Sequence, residues 1–407
     1  MEQVTDQERE AGGLPSSSRG TYIKWAAGVI LFAAVFFACG FIFARLFPKK
    51  NDPFSQVQEV IGTVRSHFFF YSEETDRKIA EGALKGVAAY LDDPYAHYYT
   101  AEEYASLQKT DSGNYVGLGI VLQMQEDDCV ITSVYENAPA ALAGVMAQDI
   151  LLSVNGTNTV DLELSEITPL FCCDEGAENV LVIRRGEEKL TLTVIAGEVY
   201  TPYVHARMLS GNIGYIHISG FHGKVVEETK EAVAALQEQG MDRLVLDLRD
   251  DPGGMLTDVR NVADIFLPAD CVIATLRSRT DKEKVYKTRS EGLSLPVAMI
   301  VNGGSASASE LLAGAMHDNG AAVLFGTKTY GKGIVQTYYE LQRGEFGAFK
   351  MTTEAYYTPA GICIQDEGIT PDHIVEMPGN ISYSNIYELT PEEDPQLRAA
   401  VDYLNTL

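Results

Sequence analysis

From Gly211 onward, runs of consecutive apolar residues alternate with amphipathic segments of helical period, and no other feature constrains the fold of this chain so strongly. IGYIHIS (213–219) precedes a helix predicted over Val225 to Gln239, and RLVLDLR (243–249) follows it. Strands that lack polar alternation must be covered on both faces, so this region predicts an α/β core with a largely parallel, buried sheet. From Tyr115 to about Gly197 the texture is different: VGLGIVL (116–122), CVITSV (129–134), DILLSVNG (149–156) and NVLVIRRGEEKLTLTVI (179–195) read as short strands. The Arg-Gly-Glu centre of the last pair marks a hairpin, and NAPAALAG (137–144) carries a helix-start signal. Between Asp52 and Lys109, Val57, Val60, Ile61 and Val64 and later Ile79, Leu84, Val87 and Leu91 recur at spacings of three and four, which predicts two or three short helices. Asp92-Asp93-Pro94 interrupts that pattern, because the residue before a proline is pushed out of the helical basin.

Residues 25–44, WAAGVILFAAVFFACGFIFA, form an uncharged apolar stretch of the length needed to cross about 30 Å of hydrocarbon as a helix. The apolar part of a cleaved signal peptide is shorter, roughly 7 to 15 residues, so a membrane anchor is the expectation. Cys39 is a poor lipidation site, since Phe36 and Phe37 precede it and apolar sequence continues beyond it. Flanking charge does not orient the span, with Arg19 and Lys24 before it and Arg45, Lys49 and Lys50 after it. Residues 1–24 are polar and are expected to form a disordered tail. The net charge of -26 over 407 residues excludes phosphate-backbone recognition, which needs clustered Lys and Arg. The six cysteines show neither metal-type spacing nor a disulfide framework.

The chemistry concentrates in LPVAMIVNGGSASASELLAGAMHDNG (295–320), where an apolar strand enters a Gly-rich turn and then a helix. A serine at that junction sits where unpaired backbone N–H groups and the helix dipole favour an anion, as acyl transfer requires. Ser307-Ala308-Ser309-Glu310 is equally a capping box, in which Ser307 would only terminate the helix. A nucleophilic reading needs a base. His317 is ten residues away on the same helix and is expected to point elsewhere, and no G-x-S-x-G elbow is present. Lys332 in TYGKGIVQ (329–336) is the alternative, since burial can hold a lysine neutral. Its flanking glycines allow close approach of other chain segments, although a Gly-Lys-Gly turn can also be plain surface.

Taken together and in this order, DLRDDPGG (247–254), SASASE (305–310) and TYGKGIVQ resemble the carboxyl-terminal processing peptidases, or tail-specific proteases. DDPYAHYY (92–99), TPAG (358–361) and GITPD (368–372) extend the resemblance over most of the chain beyond the apolar stretch. It implies Ser307 as nucleophile, Lys332 as general base and Gln336 as the residue that orients the lysine, with oxyanion-hole amides at Gly253 and Ala308. It also implies that the β-rich module is a PDZ domain. There, Gly117-Leu118-Gly119-Ile120 would hold a substrate's terminal carboxylate, with Leu118 and Ile120 contributing to a pocket for its last side chain. No metal or organic cofactor is implied.

The expected organisation is therefore α/β multidomain. A disordered tail (1–24) and a single N-terminal transmembrane helix (25–44) lead to a helical region (52–109). A PDZ domain (110–198), an α/β serine protease core (199–378) and a C-terminal helical segment (379–407) follow. The resemblance places the catalytic part outside the cytoplasm and makes protein or peptide tails with apolar ends the substrates. It also implies homodimers, to which a helix over Asp394 to Leu404 would contribute. Two departures stand out. Cys172 occupies the position of an arginine that couples PDZ binding to the active site in some relatives, and Asp250 and Asp251 replace common asparagines. Both acids are expected to face solvent or to be paired. The rival readings are a catalytically silent, membrane-tethered PDZ scaffold and a Ser/Lys hydrolase of small amides.

Overall fold

The structure is a computed structural model that describes Val35 and residues 52–111, 113–125, 128–135, 137–378 and 383–407. Apart from Val35, the tail and the apolar stretch 25–44 lie outside the described residues, among which no helix is long and apolar enough to cross a membrane. The chain divides into two compact units, one ending at Ala80 and the other comprising Glu81–Leu407. In the first, helix Pro53–His67 starts with Pro53 behind Asp52, whose carboxylate accepts the Phe54 N–H at 3.0 Å. None of its residues is buried. Arg65 pairs with Asp76 at 2.9 Å in the following helix, Glu73–Ala89.

In the second unit, the β-rich module is an antiparallel sheet whose strands lie in the order Ile120–Gln125, Asp128–Val134, Ile150–Val154, Glu178–Arg185 and Glu188–Ile195. Thr157–Asn158 adds to the middle strand. The hairpin predicted at Arg-Gly-Glu turns through Gly186, whose φ of 59° is the left-handed conformation that such a turn requires. Leu118, Ile131, Leu151, Ile167, Leu181, Ile183 and Val194 form a core separate from that of the rest. Asn114–Gly117 and Gly197–Tyr200 pair antiparallel, so the chain enters and leaves the module side by side.

The α/β core is a six-stranded sheet in the order Val204–Met208, Ile213–Ile218, Arg243–Asp247, Val297–Val301, Ala322–Gly326 and His373–Ile374. Its first pair is antiparallel and the others are parallel. Every residue of Ile213–Ile218 and Val297–Val301 is buried. Ile216, Leu244, Leu246 and Met299 face helices Val225–Glu238, Leu256–Phe266 and Ala308–Asp318 on one side. Tyr215, Val245, Ala298 and Ile300 meet helix Pro395–Leu404 on the other. The C-terminal helix is thus part of the core. Leu397, Ala400, Val401 and Leu404 are buried within this unit, so the apolar face of the helix packs on the sheet.

A second, antiparallel sheet was not anticipated. Its central strand, Ala348–Tyr357, pairs with His97–Tyr99, Val272–Ser278 and Ile334–Glu340, and Glu283–Lys287 adds at the edge. His97–Tyr99 belongs to the stretch read as purely helical, and Tyr98 is buried there with its hydroxyl on the Phe346 carbonyl at 3.1 Å.

The DLRD segment is fixed by Arg249, which has no exposed side-chain surface. It pairs with Asp247 at 2.5 Å and with Asp394 at 2.7 Å, and it donates to Gln396 at 3.0 Å, while Tyr215 donates to Asp247 at 2.7 Å. Asp394 also caps the C-terminal helix through the N–H groups of Gln396 and Leu397. Removing the cation would leave two carboxylates buried and uncompensated. Arg249→Leu should therefore lower the unfolding free energy by about 3 to 5 kcal/mol, measured by urea denaturation; a loss below about 1 kcal/mol, the surface-pair range, would show that the network contributes little.

Candidate active site

Three serines, Ser305, Ser307 and Ser309, compete in sequence for one role, and their hydrogen bonds separate them. Ser305 Oγ donates to the Leu248 carbonyl at 2.8 Å and Ser309 Oγ to that of Asp251 at 2.9 Å, and both residues are fully buried. Ser307 alone lines a cavity of about 640 Å3. The strand Val297–Val301 must reverse into the helix that begins at Ala308, and Ser307 makes that turn with φ 54° and ψ -108°. This conformation is costly for a residue with a Cβ and is maintained by its surroundings. The Ser307 N–H donates to Glu310 Oε2 at 2.9 Å, and its carbonyl accepts from the Leu311 N–H and from Tyr356 Oη, each at 2.9 Å. The Glu310 half of the predicted capping box is therefore present, but it restrains the serine backbone.

Glu310 does more than cap the helix. It is fully buried, and its Oε1 accepts from Thr329 Oγ1 at 2.6 Å and from the Gly331 N–H at 2.7 Å. Its Oε2 accepts the Lys332 N–H at 2.9 Å in addition to that of Ser307. One carboxylate thus joins the turn bearing Ser307 to the loop bearing Lys332. The glycines beside Lys332 are needed for close approach. A Cβ on Gly333 would lie 2.6 Å from the Gln365 nitrogen, and Gly331 has φ 94° against the backbone of 366–368.

Lys332 is half-buried, and desolvation lowers its pKa from the ordinary ammonium value, with the charge of Lys350 acting in the same direction. Its Nζ lies 4.5 Å from the centre of the Tyr95 ring. Gly253, Ser307, Ala308, Lys332 and Gln336 all line the one cavity, together with the apolar side chains of Met255, Leu256, Leu311 and Val335.

Among the described residues no hydrogen bond joins Lys332 to Ser307 or to Gln336. Gln336 sits at a β-bulge and donates instead to Thr352 Oγ1 at 3.3 Å, so the orienting contact expected of it is not made here. Gly253 also differs from expectation. Its N–H donates to Asp251 Oδ1 at 2.8 Å and is not available for an oxyanion in this conformation. A Cβ on Gly253 would stand 2.8 Å from the Ala308 nitrogen, so the two predicted amides belong to adjoining backbones. As the first helical residue, Ala308 has no intrahelical acceptor for its N–H. His317 points away, as expected, to Asp318 and Asp372.

In the β-rich module, Gly119 turns the predicted loop with φ 77°, and a Cβ there would collide with that of Ala138 at 2.2 Å. Leu118 is 4% exposed and belongs to the module's core, so it is not a free pocket wall; Ile120 is only partly buried. The strand Ile120–Gln125 is at the edge of its sheet.

Residues 212–375 match peptidase family S41, and residues 130–185 match the PDZ domain. The "Probable CtpA-like serine protease" of Staphylococcus aureus (strain COL) is 30% identical over 381 residues, covering 92% of this chain and 76% of that protein. This chain belongs to peptidase family S41. Its homologue in Staphylococcus haemolyticus (strain JCSC1435), of the same description, is 33% identical over 320 residues, which is 78% of this chain and 64% of that one. Among solved structures, the photosystem II D1 C-terminal processing protease is similar at 26% identity, covering 74% of this chain and 82% of that one, with a TM-score of 0.48. This S41 peptidase is accordingly a serine-type C-terminal processing peptidase with a PDZ domain and a mixed α/β protease core.

The two acids of DLRDDPGG have different fates. Asp250 is exposed and is paired through its Oδ1 with Asn302 Nδ2 at 3.0 Å, as expected. Asp251 is fully buried without a cation, contrary to expectation. Burial pushes its carboxyl well above the ordinary range, against the hydrogen bond from Gly253. Burial thus disfavours a charge beside the Gly253 backbone. Because the folded form holds this proton more tightly than the unfolded form, the stability it contributes is full at pH below about 4 and is lost as pH rises toward the folded pKa. Asp251→Asn should therefore raise the thermal midpoint relative to wild type at pH 8, with the gain vanishing toward pH 4. A pH-independent difference would mean that Asp251 does not bind a proton on folding.

Proposed function

We propose that this S41 peptidase is a membrane-anchored endopeptidase that cuts unstructured protein tails outside the cytoplasm, with Ser307 as nucleophile and neutral Lys332 as its base. The observation that carries the reading is the buried Glu310 carboxylate, which ties the two residues' backbones together at one cavity. Lys332 Nζ leaves the Tyr95 ring and accepts the proton of Ser307 Oγ as the oxygen adds to the scissile carbonyl. The Ala308 amide, joined by that of Gly253 once released from Asp251, receives the oxyanion. Collapse of the tetrahedral adduct expels the amine, protonated by Lys332, and leaves an acyl-enzyme on Ser307 that water hydrolyses. The apolar wall of Met255, Leu256, Leu311 and Val335 suits an apolar side chain beside the cut.

Substrate selection follows from the PDZ domain. A tail added as a further strand along the free edge of Ile120–Gln125 would bring its carboxylate to the turn at Gly119. Anchoring rests on the apolar length of residues 25–44, and the extracytoplasmic location on the arrangement in the family that the chain resembles.

Full-length protein in detergent micelles should cleave an unstructured substrate with an apolar C-terminus, and Ser307→Ala and Lys332→Ala should each abolish turnover while remaining folded. Wild-type kcat/KM should rise with pH through a pKa below the ordinary lysine value, because only the neutral amine is a base and burial favours it. Amidating the substrate's C-terminus should raise KM. Undiminished cleavage by either variant would remove the Ser/Lys assignment, and indifference to amidation would remove tail recognition.

A further inference from the structure

The segment Asp93-Pro94-Tyr95 lies far in sequence from the catalytic loops, yet it contacts the surroundings of both Lys332 and Gln336. Asp93 Oδ2 accepts the Thr352 N–H at 2.8 Å, and its Oδ1 accepts from Thr352 Oγ1 at 3.2 Å and from the Tyr95 N–H at 3.0 Å. The same Thr352 hydroxyl accepts from Gln336 Nε2 at 3.3 Å. Asp93 thereby fixes the backbone of Tyr95 to the strand that holds Gln336 in its present orientation. Tyr95 then presents the face of its ring to Lys332 Nζ.

We propose that Tyr95 is a positioning residue that holds the Lys332 ammonium in a resting place away from Ser307, and that Asp93 sets the ring there. The proposal rests on Lys332 being the base. An aromatic face attracts a cation and not a neutral amine. The ring therefore stabilises the inactive, protonated lysine and releases it when the proton is lost, so base activation and side-chain departure are one event.

Other charged groups face this space. Lys350 and Glu354 on Ala348–Tyr357, and Asp111 and His222, line the same cavity. Asp93, Tyr330 and Asp366 surround Tyr95 itself. None of these is altered by changing the ring, so a substitution at Tyr95 isolates its contribution.

The test is kcat/KM against pH for the full-length protein and its Tyr95→Phe and Tyr95→Leu variants, with Lys332→Ala alongside. Tyr95→Leu should move the acid limb to lower pH by roughly half a unit, which corresponds to about a threefold gain in rate below that limb, with KM unchanged. Tyr95→Phe, which keeps the face, should retain the wild-type profile. An unmoved limb in Tyr95→Leu, or equal shifts in both variants, would overturn the proposal. Full activity in Lys332→Ala would instead overturn the base assignment, a failure distinguishable from the first. Should Tyr95→Leu not fold, the wild-type protein decides alone. After reductive 13C-methylation, the Lys332 methyl signal should be shifted upfield by the ring at acid pH and should lose that shift as it deprotonates; a signal at the ordinary lysine position throughout would contradict the contact.

Discussion

Four donors converge on the buried carboxylate of Glu310, and the geometry of the active site depends on that convergence. Two are the backbone N–H groups of Gly331 and Lys332, one is the Thr329 hydroxyl and one is the N–H of Ser307. A carboxylate taken out of water is costly unless its lone pairs are matched, and here each oxygen accepts two hydrogen bonds. The consequence is mechanical. A turn at the end of a parallel strand and a loop leading into an antiparallel sheet would otherwise be set independently, yet they share one anchor. The strained backbone of Ser307 is held from the same point and from Tyr356.

Burial acts differently on the ionisable groups around this anchor. Lys332 is pushed toward the neutral amine that a base requires, and Asp251 toward the neutral acid that an oxyanion site tolerates. Arg249 remains charged in a fully enclosed place because Asp247 and Asp394 flank it. The segment from Asp247 to Gly254 thus carries a cation that joins the sheet to the C-terminal helix and, two residues later, an acid that holds the Gly253 amide. With Lys332 on Tyr95 and Gly253 on Asp251, the site is constructed but not engaged. Under the proposed Ser/Lys mechanism these are the contacts that would be exchanged.

The α/β core was legible because its strands are apolar on consecutive positions, and both faces of Ile213–Ile218 are indeed covered. The PDZ hairpin was legible because a glycine sits where φ must be positive. The second sheet was not, since Ala348–Tyr357 finds partners in His97–Tyr99 and Val272–Ser278, and local periodicity carries no trace of such distant pairing. In the site, Ser307, Lys332 and Gln336 came from motifs and do share a cavity, whereas the actual partners of Gln336 and Gly253 depend on side chains from other segments. Glu310 was visible only as the end of a capping box, and its reach to the lysine loop could not be read from a spacing of three. Tyr95 stood in a motif, DDPYAHYY, that suggested no chemistry until the fold brought its ring to Lys332.

The central claim is that Ser307, held on the Glu310 anchor, is the nucleophile, and covalent trapping tests it most directly. The full-length protein would be reacted with a fluorophosphonate, and the modified residue and its rate of formation read by peptide mass spectrometry. The account predicts a single adduct on Ser307, formed about 10²-fold more slowly in Glu310→Gln, because an amide cannot accept all four hydrogen bonds and the two loops lose their common register. An adduct on another serine, or an undiminished rate in Glu310→Gln, would contradict it.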